Sequence, residues 1–190
     1  MKRNILFVCT GNTCRSPMAE AIFRDLAVKK GLQVEVRSAG VSALDGMPIS
    51  RNSALVLQER QLSDRFSSNS ISREWIEWAD LILTMTASHK RTLIQMHPYA
   101  VDKTHTLNEY TQDGGAELDN LTALESLYSE LQLKKSLGQP ISREEKDRVR
   151  DLERSIPDFD IVDPFGGSLD IYRRCAEEIE RALKKLAERL

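Results

Sequence analysis

Asn4-Ile5-Leu6-Phe7-Val8-Cys9-Thr10-Gly11-Asn12-Thr13-Cys14-Arg15-Ser16-Pro17-Met18-Ala19-Glu20 is the stretch that decides the fold. Residues 4–8 form an apolar run with the length of a buried strand. Ser16-Pro17 reads as the N-cap and first residue of a helix. Met18, Ile22 and Leu26 then recur every four residues on one helical face, and Gly31 closes the element. A short polar loop therefore joins a strand end to a helix N-terminus. Such a junction aims several backbone N–H groups and the positive end of the helix dipole at one point. That point is an anion site, and Cys9 opens it.

Cys9 and Arg15 flank five residues, a C-x5-R spacing. The N–H groups and the dipole favour the thiolate of Cys9. The planar fork of Arg15 suits two oxygens of one phosphate. Ser16 is placed to donate its hydroxyl to the sulfur, and Thr10, Gly11, Asn12, Thr13 and Cys14 supply loop N–H groups. C-x5-R alone arises by chance, and Cys9 alone reads equally as a buried strand-end cysteine. The combination carries the signal: strand, Gly-Asn turn, Arg-Ser-Pro and amphipathic helix in that order.

The segment from Cys9 to Glu20 resembles the phosphate-binding loop of the low-molecular-weight protein tyrosine phosphatases. Within that family it is most similar to the bacterial protein-arginine phosphatases. The likeness covers about residues 3–114 and 158–190. It implies hydrolysis of phosphoarginine on proteins through a phosphocysteine at Cys9, with Arg15 and the loop carrying the phosphoryl charge. It also implies that Asn12 has a left-handed backbone supported by Ser38, that no cofactor is needed, and that the partners are phosphorylated proteins.

Downstream, residues 33–40 alternate polar and apolar, a second strand ending on Gly40. Residues 44–48 are loop, and 50–59 a helix with Ala54, Leu55 and Leu57 on its apolar side. A serine-rich loop spans 63–72 and a short helix 73–79, whose Trp75 and Trp78 share a face. Core packing is the commoner use of such a pair, cleft lining the alternative. Residues 80–85 form the third strand, similar to the family's Asp-aromatic-Ile-Leu-x-Met. Thr86 caps a helix to about residue 96 that His97-Pro98 ends, and 104–107 is the fourth strand. The alternation predicts an α/β fold: a doubly wound four-stranded parallel sheet with helices on both faces. Ligands in such sheets sit at the carboxyl ends of the strands, where the loop after the first strand lies. None of His89, His97 and His105 has a metal partner at useful spacing, so no metal is expected and all three read as surface or satisfied side chains.

Asp113-Gly114-Gly115 breaks the pattern. Residues 116–157 read as an inserted helical hairpin within a single phosphatase domain of residues 1–190. Leu118, Leu121, Leu124, Tyr128 and Leu131 line its first helix. Ser142-Arg143-Glu144-Glu145 is a capping box that opens the second, striped by Val149, Leu152 and Ile156. The resemblance gives this segment a far shorter counterpart or none. Then comes Asp160-Ile161-Val162-Asp163-Pro164-Phe165-Gly166-Gly167. Transfer through Cys9 needs an acid for the leaving atom and then a base for water. In the resembled family an Asp-Pro dipeptide supplies it, and Asp163-Pro164 matches. Phe165 stands where the tyrosine phosphatases usually carry tyrosine. The last helix, from Leu169, presents Tyr172, Cys175, Ile179, Leu183, Leu186 and Leu190 on one face, with Cys175 an inert core thiol.

A net charge of −2 gives no basic excess for nucleic acid or an anionic membrane, and no apolar run reaches the ~18 residues of a membrane span. Met1-Lys2-Arg3 runs straight into the first strand, so no signal peptide is expected. Three cysteines, an odd number, make no disulfide framework and fit a reducing, cytoplasmic setting; a monomer is expected. Cys14 is the candidate redox partner of Cys9. Thr13, where the tyrosine phosphatases usually carry a bulky aliphatic residue, is the candidate selector of phosphoarginine. The rival readings are a phosphotyrosine phosphatase, an arsenate reductase and a non-catalytic phosphate-binding module. Residues 80–97 lack the cysteines that a reductase would use.

Overall fold

The computed structural model describes residues 2–190. In chain order its elements are β1 (Arg3–Cys9), α1 (Arg15–Lys30), β2 (Val34–Gly40), α2 (Arg51–Glu59), α3 (Arg73–Trp78), β3 (Leu81–Thr84), α4 (Ala87–Met96), β4 (Thr104–Thr106), α5 (Leu107–Thr111), α6 (Ala116–Ser136), α7 (Arg143–Ser155) and α8 (Leu169–Glu188). The four strands are parallel and ordered β2-β1-β3-β4. Ile5, Leu6, Phe7 and Val8 expose no surface, so β1 is covered on both faces. The strand period of two divides them. Ile5, Phe7 and Cys9 enter a core with α1, α2 and α8, whereas Leu6 and Val8 enter another with α3 and α4. The strand order switches at β1, which opens a crevice at its carboxyl end. The loop of residues 10–14 starts there.

Ser16-Pro17 does not start α1. Cys14 occupies the N-cap position without a side-chain capping bond, and Ser16 and Pro17 lie inside the first turn. Pro17 loses nothing there, since first-turn N–H groups have no intrahelical acceptor. The Ser16 hydroxyl is thereby left for the loop. Residues 15–23 of α1 are buried around the whole circumference, and Leu26 is only half-buried. Gly31 ends the helix at φ 67, and its N–H and that of Leu32 close on the last turn.

Other details depart from the sequence reading. The buried face of α2 is Ser53, Val56 and Leu57, with Ala54 and Leu55 half-buried. Trp75 and Trp78 are half-buried and carry the Arg37 guanidinium, 5.6 and 4.3 Å from their ring centroids. Leu107 belongs to α5 rather than the fourth strand, because the Thr106 hydroxyl accepts from Glu109 N (3.2 Å) and turns the chain into a helix at once.

Contacts divide the chain into two compact units: residues up to Thr111 with Phe159–Leu190, and Gln112–Asp158. The second holds α6 and α7, packed on one another. Leu124, Leu127 and Leu131 are its buried side chains on α6. Tyr128 is 43% exposed, one position off that stripe, and its hydroxyl reaches the Glu153 carboxylate. Ser142 and Glu145 close a capping box at the start of α7.

Candidate active site

Cys9 ends β1 with 3% exposure, its sulfur 2.9 Å from the Ser16 hydroxyl. Asn12 turns the loop with φ 54, a conformation Asn tolerates better than most residues. Its amide donates to Ser16 Oγ and to Ser38 Oγ, 2.9 Å each, and its Oδ1 accepts from Asn69 N at 2.8 Å. The Ser38 hydroxyl donates onward to Glu20 Oε2 at 2.6 Å. Burial pushes the Glu20 carboxyl above its usual range, against the opposing pull of Ser38 and Arg24. A continuous chain of buried polar contacts thus runs from Cys9 through Ser16, Asn12 and Ser38 to Glu20.

The loop's carbonyls face away from the crevice partners: Val41 N donates to Cys9 O, Ser42 N to Thr10 O and Ser50 N to Thr13 O. The N–H groups of Gly11, Asn12, Thr13 and Cys14 find no carbonyl partner among the described residues. Unpaired donors gathered at a helix N-terminus are what an oxyanion requires. Gly40 makes this packing possible. A Cβ there would lie 2.9 Å from Asn12 N and closer still to Thr10 O. At Gly11 an added Cβ would meet only Thr13 Oγ1, at 3.7 Å.

Arg15 is 5% exposed, and two groups of the Ile161–Asp163 segment hold its guanidinium. Nη1 donates to Ile161 O at 3.2 Å, and Nη2 lies 3.0 Å from Asp163 Oδ2. The Asp163 side chain is 56% exposed, and its Oδ1 accepts from Phe165 N at 3.2 Å. Three bonds moor the segment before it. Ile161 N donates to Met85 O (2.8 Å), Ala87 N to Asp160 Oδ1 (2.6 Å), and the Cys175 thiol to Val162 O (3.5 Å). Phe165 beyond it is 79% exposed, and Gly166 has φ 73. Burial pushes the Cys175 thiol up to about 12.

Cys14 and Cys9 are both free thiols. The Cys14 sulfur lies 3.4 Å from Ser50 Oγ and 3.6 Å from the Tyr172 hydroxyl. Burial beside Cys14 raises that phenol to about 12. Thr13 is half-buried.

One site residue escaped the sequence reading. His89, in the first turn of α4, is 6% exposed, and its Nε2 lies 2.8 Å from the Thr10 hydroxyl. Its Nδ1 has no hydrogen-bond partner among the described residues, so His89 is neither a surface nor a satisfied histidine. Burial, helped by the Arg15 guanidinium and opposed by Asp163, lowers its pKa to about 4. The available signal was its place three residues after the capping Thr86, on a helix that follows a strand expected beside the first.

A family model described as low molecular weight phosphotyrosine protein phosphatase matches residues 4–126. The match includes Cys9 and Arg15 and stops before Asp163. A protein-arginine-phosphatase of Geobacillus stearothermophilus is 34% identical over 190 residues, covering 100% of this chain and 97% of the relative. A low molecular weight protein-tyrosine-phosphatase, PtpB of Staphylococcus haemolyticus, is 31% identical over 182 residues, covering 96% of each. Among solved structures, the YwlE arginine phosphatase in a cysteine-to-serine mutant with a phosphorylated active-site serine is similar, with TM-score 0.73 and 34% identity. That likeness covers 98% of this chain and 95% of the other.

Proposed function

The chain belongs to the low molecular weight phosphotyrosine protein phosphatase family and is a phosphatase; on that premise we propose that it hydrolyses phosphoarginine on proteins, through a phosphocysteine on Cys9. The observation that carries the substrate is the end-to-end similarity to a relative named protein-arginine-phosphatase. Thr13 supports it. Its loop position offers a hydroxyl to the polar, planar leaving group, where an aliphatic wall would strip solvent from a guanidinium without replacing it. Asp163, exposed and already paired with one guanidinium, suits another.

The chemistry needs few parts. The Cys9 thiolate attacks phosphorus in line with the P–N bond, and an S–P bond forms as the P–N bond breaks. Asp163 gives its proton to the departing nitrogen. Arg15 and the unpaired loop N–H groups hold the three equatorial oxygens, the principal catalytic term in phosphoryl transfer. Asp163, now a carboxylate, takes a proton from water as that water attacks phosphorus. The S–P bond breaks, phosphate leaves, and the sulfur returns as a thiolate beside the Ser16 hydroxyl. Gly11, Asn12 and Cys14 act in this scheme through their backbone, and Ser38 through Asn12.

A phosphotyrosine reading has one specific support: Phe165, 79% exposed beyond Asp163, would flank an aryl ring. Thr13→Ile separates the two. Measured as kcat/KM on matched phosphoarginine and phosphotyrosine peptides, the variant is expected to lose roughly tenfold in the ratio favouring phosphoarginine. A native protein that prefers phosphotyrosine would overturn the proposal. Equal losses on both substrates would remove Thr13 from the selection.

A further inference from the structure

We propose that His89 is a positioning residue that orients the Thr10 hydroxyl at the mouth of the phosphate site. The inference rests on the phosphatase reading of that site and adds a residue to it. Thr10 directly follows Cys9, and it is exposed where the rest of the loop is buried or half-buried. Among the described residues its hydroxyl has one partner, His89 Nε2 at 2.8 Å. The backbone behind the ring is held at the cap of α4. His89 N donates to the hydroxyl of Thr86, the cap of α4 (3.2 Å), and the side chain is 6% exposed.

The two ring nitrogens settle which way the proton points. Nδ1 is buried and unpartnered among the described residues. A buried N–H without an acceptor is rare and costly, whereas a bare acceptor nitrogen is tolerated more often. The proton therefore sits on Nε2, and Nε2–H donates to Thr10 Oγ1. That bond occupies one lone pair of the hydroxyl and leaves its hydrogen free. Thr10 then presents an O–H donor, instead of an acceptor, to the entering phosphoryl group. The opposite tautomer would turn the Thr10 hydrogen inward and bury an N–H with nothing to receive it.

The surroundings keep the ring neutral, as this arrangement requires. Burial is the main cause; the Arg15 guanidinium adds to it by repelling a second positive charge, and Asp163 opposes both. The same first turn of α4 also moors the acid segment, through Ala87 N to Asp160 Oδ1 at 2.6 Å. One helix start thus touches both halves of the site, the loop that follows the nucleophile and the segment that carries the acid.

The test is a double-substitution cycle on Thr10→Val and His89→Phe, with His89→Gln as the conservative variant. Each protein is assayed for kcat and KM on a phosphoarginine peptide and on an aryl phosphate, and its thermal midpoint is recorded. His89→Phe and Thr10→Val are each expected to lower kcat/KM by roughly tenfold, the worth of one hydrogen bond to a charged group. The double variant is expected to be no worse than either single one, because both remove the same bond. His89→Gln, whose amide N–H reaches about as far as Nε2, is expected to recover most of the loss. Losses that multiply in the double variant would overturn the proposal. So would a glutamine variant as poor as the phenylalanine one at an unchanged thermal midpoint. Should His89→Phe fold poorly, Thr10→Val alone decides: unchanged kinetics on both substrates would show that its hydroxyl positions nothing. The aryl phosphate arm keeps this result separate from the substrate proposal, since a preference for either substrate leaves the cycle readable.

Discussion

The two loops that meet at Arg15 are built on opposite terms. Around Cys9, the polar chain behind the loop is buried: Asn12 is 2% exposed, Ser16 0% and Ser38 3%. Around Asp163, the acid is 56% exposed, and Phe165, two positions on, stands almost wholly in solvent. The first loop is locked by side-chain contacts to five other segments, at Ser38, Ser50, Asn69, His89 and Tyr172. The second is moored before the acid, and beyond it Gly167 N returns to Pro164 O at 2.9 Å while Phe165 and Gly166 stay exposed. A nucleophile gains from being fixed, because misplacement costs rate directly. An acid that must protonate a leaving group and then admit water gains from room to move.

The comparison makes ordered predictions. The largest effect belongs to the fixed loop. Cys9→Ser should lower kcat by more than about a thousandfold, since an alkoxide does not form there at neutral pH. Substantial single-turnover phosphate release by that variant would break the covalent scheme. Asp163→Asn comes next, with a loss on the order of a hundredfold for poor leaving groups and much less for a good aryl one. A loss independent of leaving group would mean that Asp163 acts by holding Arg15 and not as an acid. The smallest effect concerns pH and again falls on the fixed side. Burial lowers His89 from the ordinary histidine pKa of about 6.5 to about 4 in the folded protein, so the unfolded chain binds the proton first. Stability is therefore complete above pH 6.5 and falls as the pH drops toward 4, by at most about 3 kcal/mol. Urea midpoints across that window should fall less in His89→Phe than in the native protein. Equal slopes would show that the ring takes up its proton while folded.

The fixed side was also the more legible in sequence, and the reason is physical. Cys9, Arg15, Gly31 and the caps at Thr86 and Ser142 announce themselves through neighbours within a turn or two. Ser16 was visible as a site residue but misplaced as an N-cap, because Ser-Pro carries the same local signal whether it lies at a helix start or inside the first turn. His89 was lost altogether, since its partner Thr10 lies 79 positions away and no periodicity links them. Face assignments failed by one position at Tyr128 and Ala54 for a related cause. Which edge of an apolar stripe is covered depends on what packs there, and a single helix does not contain that information.

The Arg15 guanidinium joins residues 146 positions apart, through its bond to Ile161 O. Synthesis runs from the first of these to the second, so the order of assembly is set. The strand, loop and helix that bear Cys9 emerge well before the segment that bears Asp163. On the proposed scheme, a chain still leaving the ribosome therefore holds its nucleophile before it holds its acid. On that scheme, the interval leaves the phosphate cradle without the group that finishes a turnover, until the Ile161–Asp163 segment closes on Arg15.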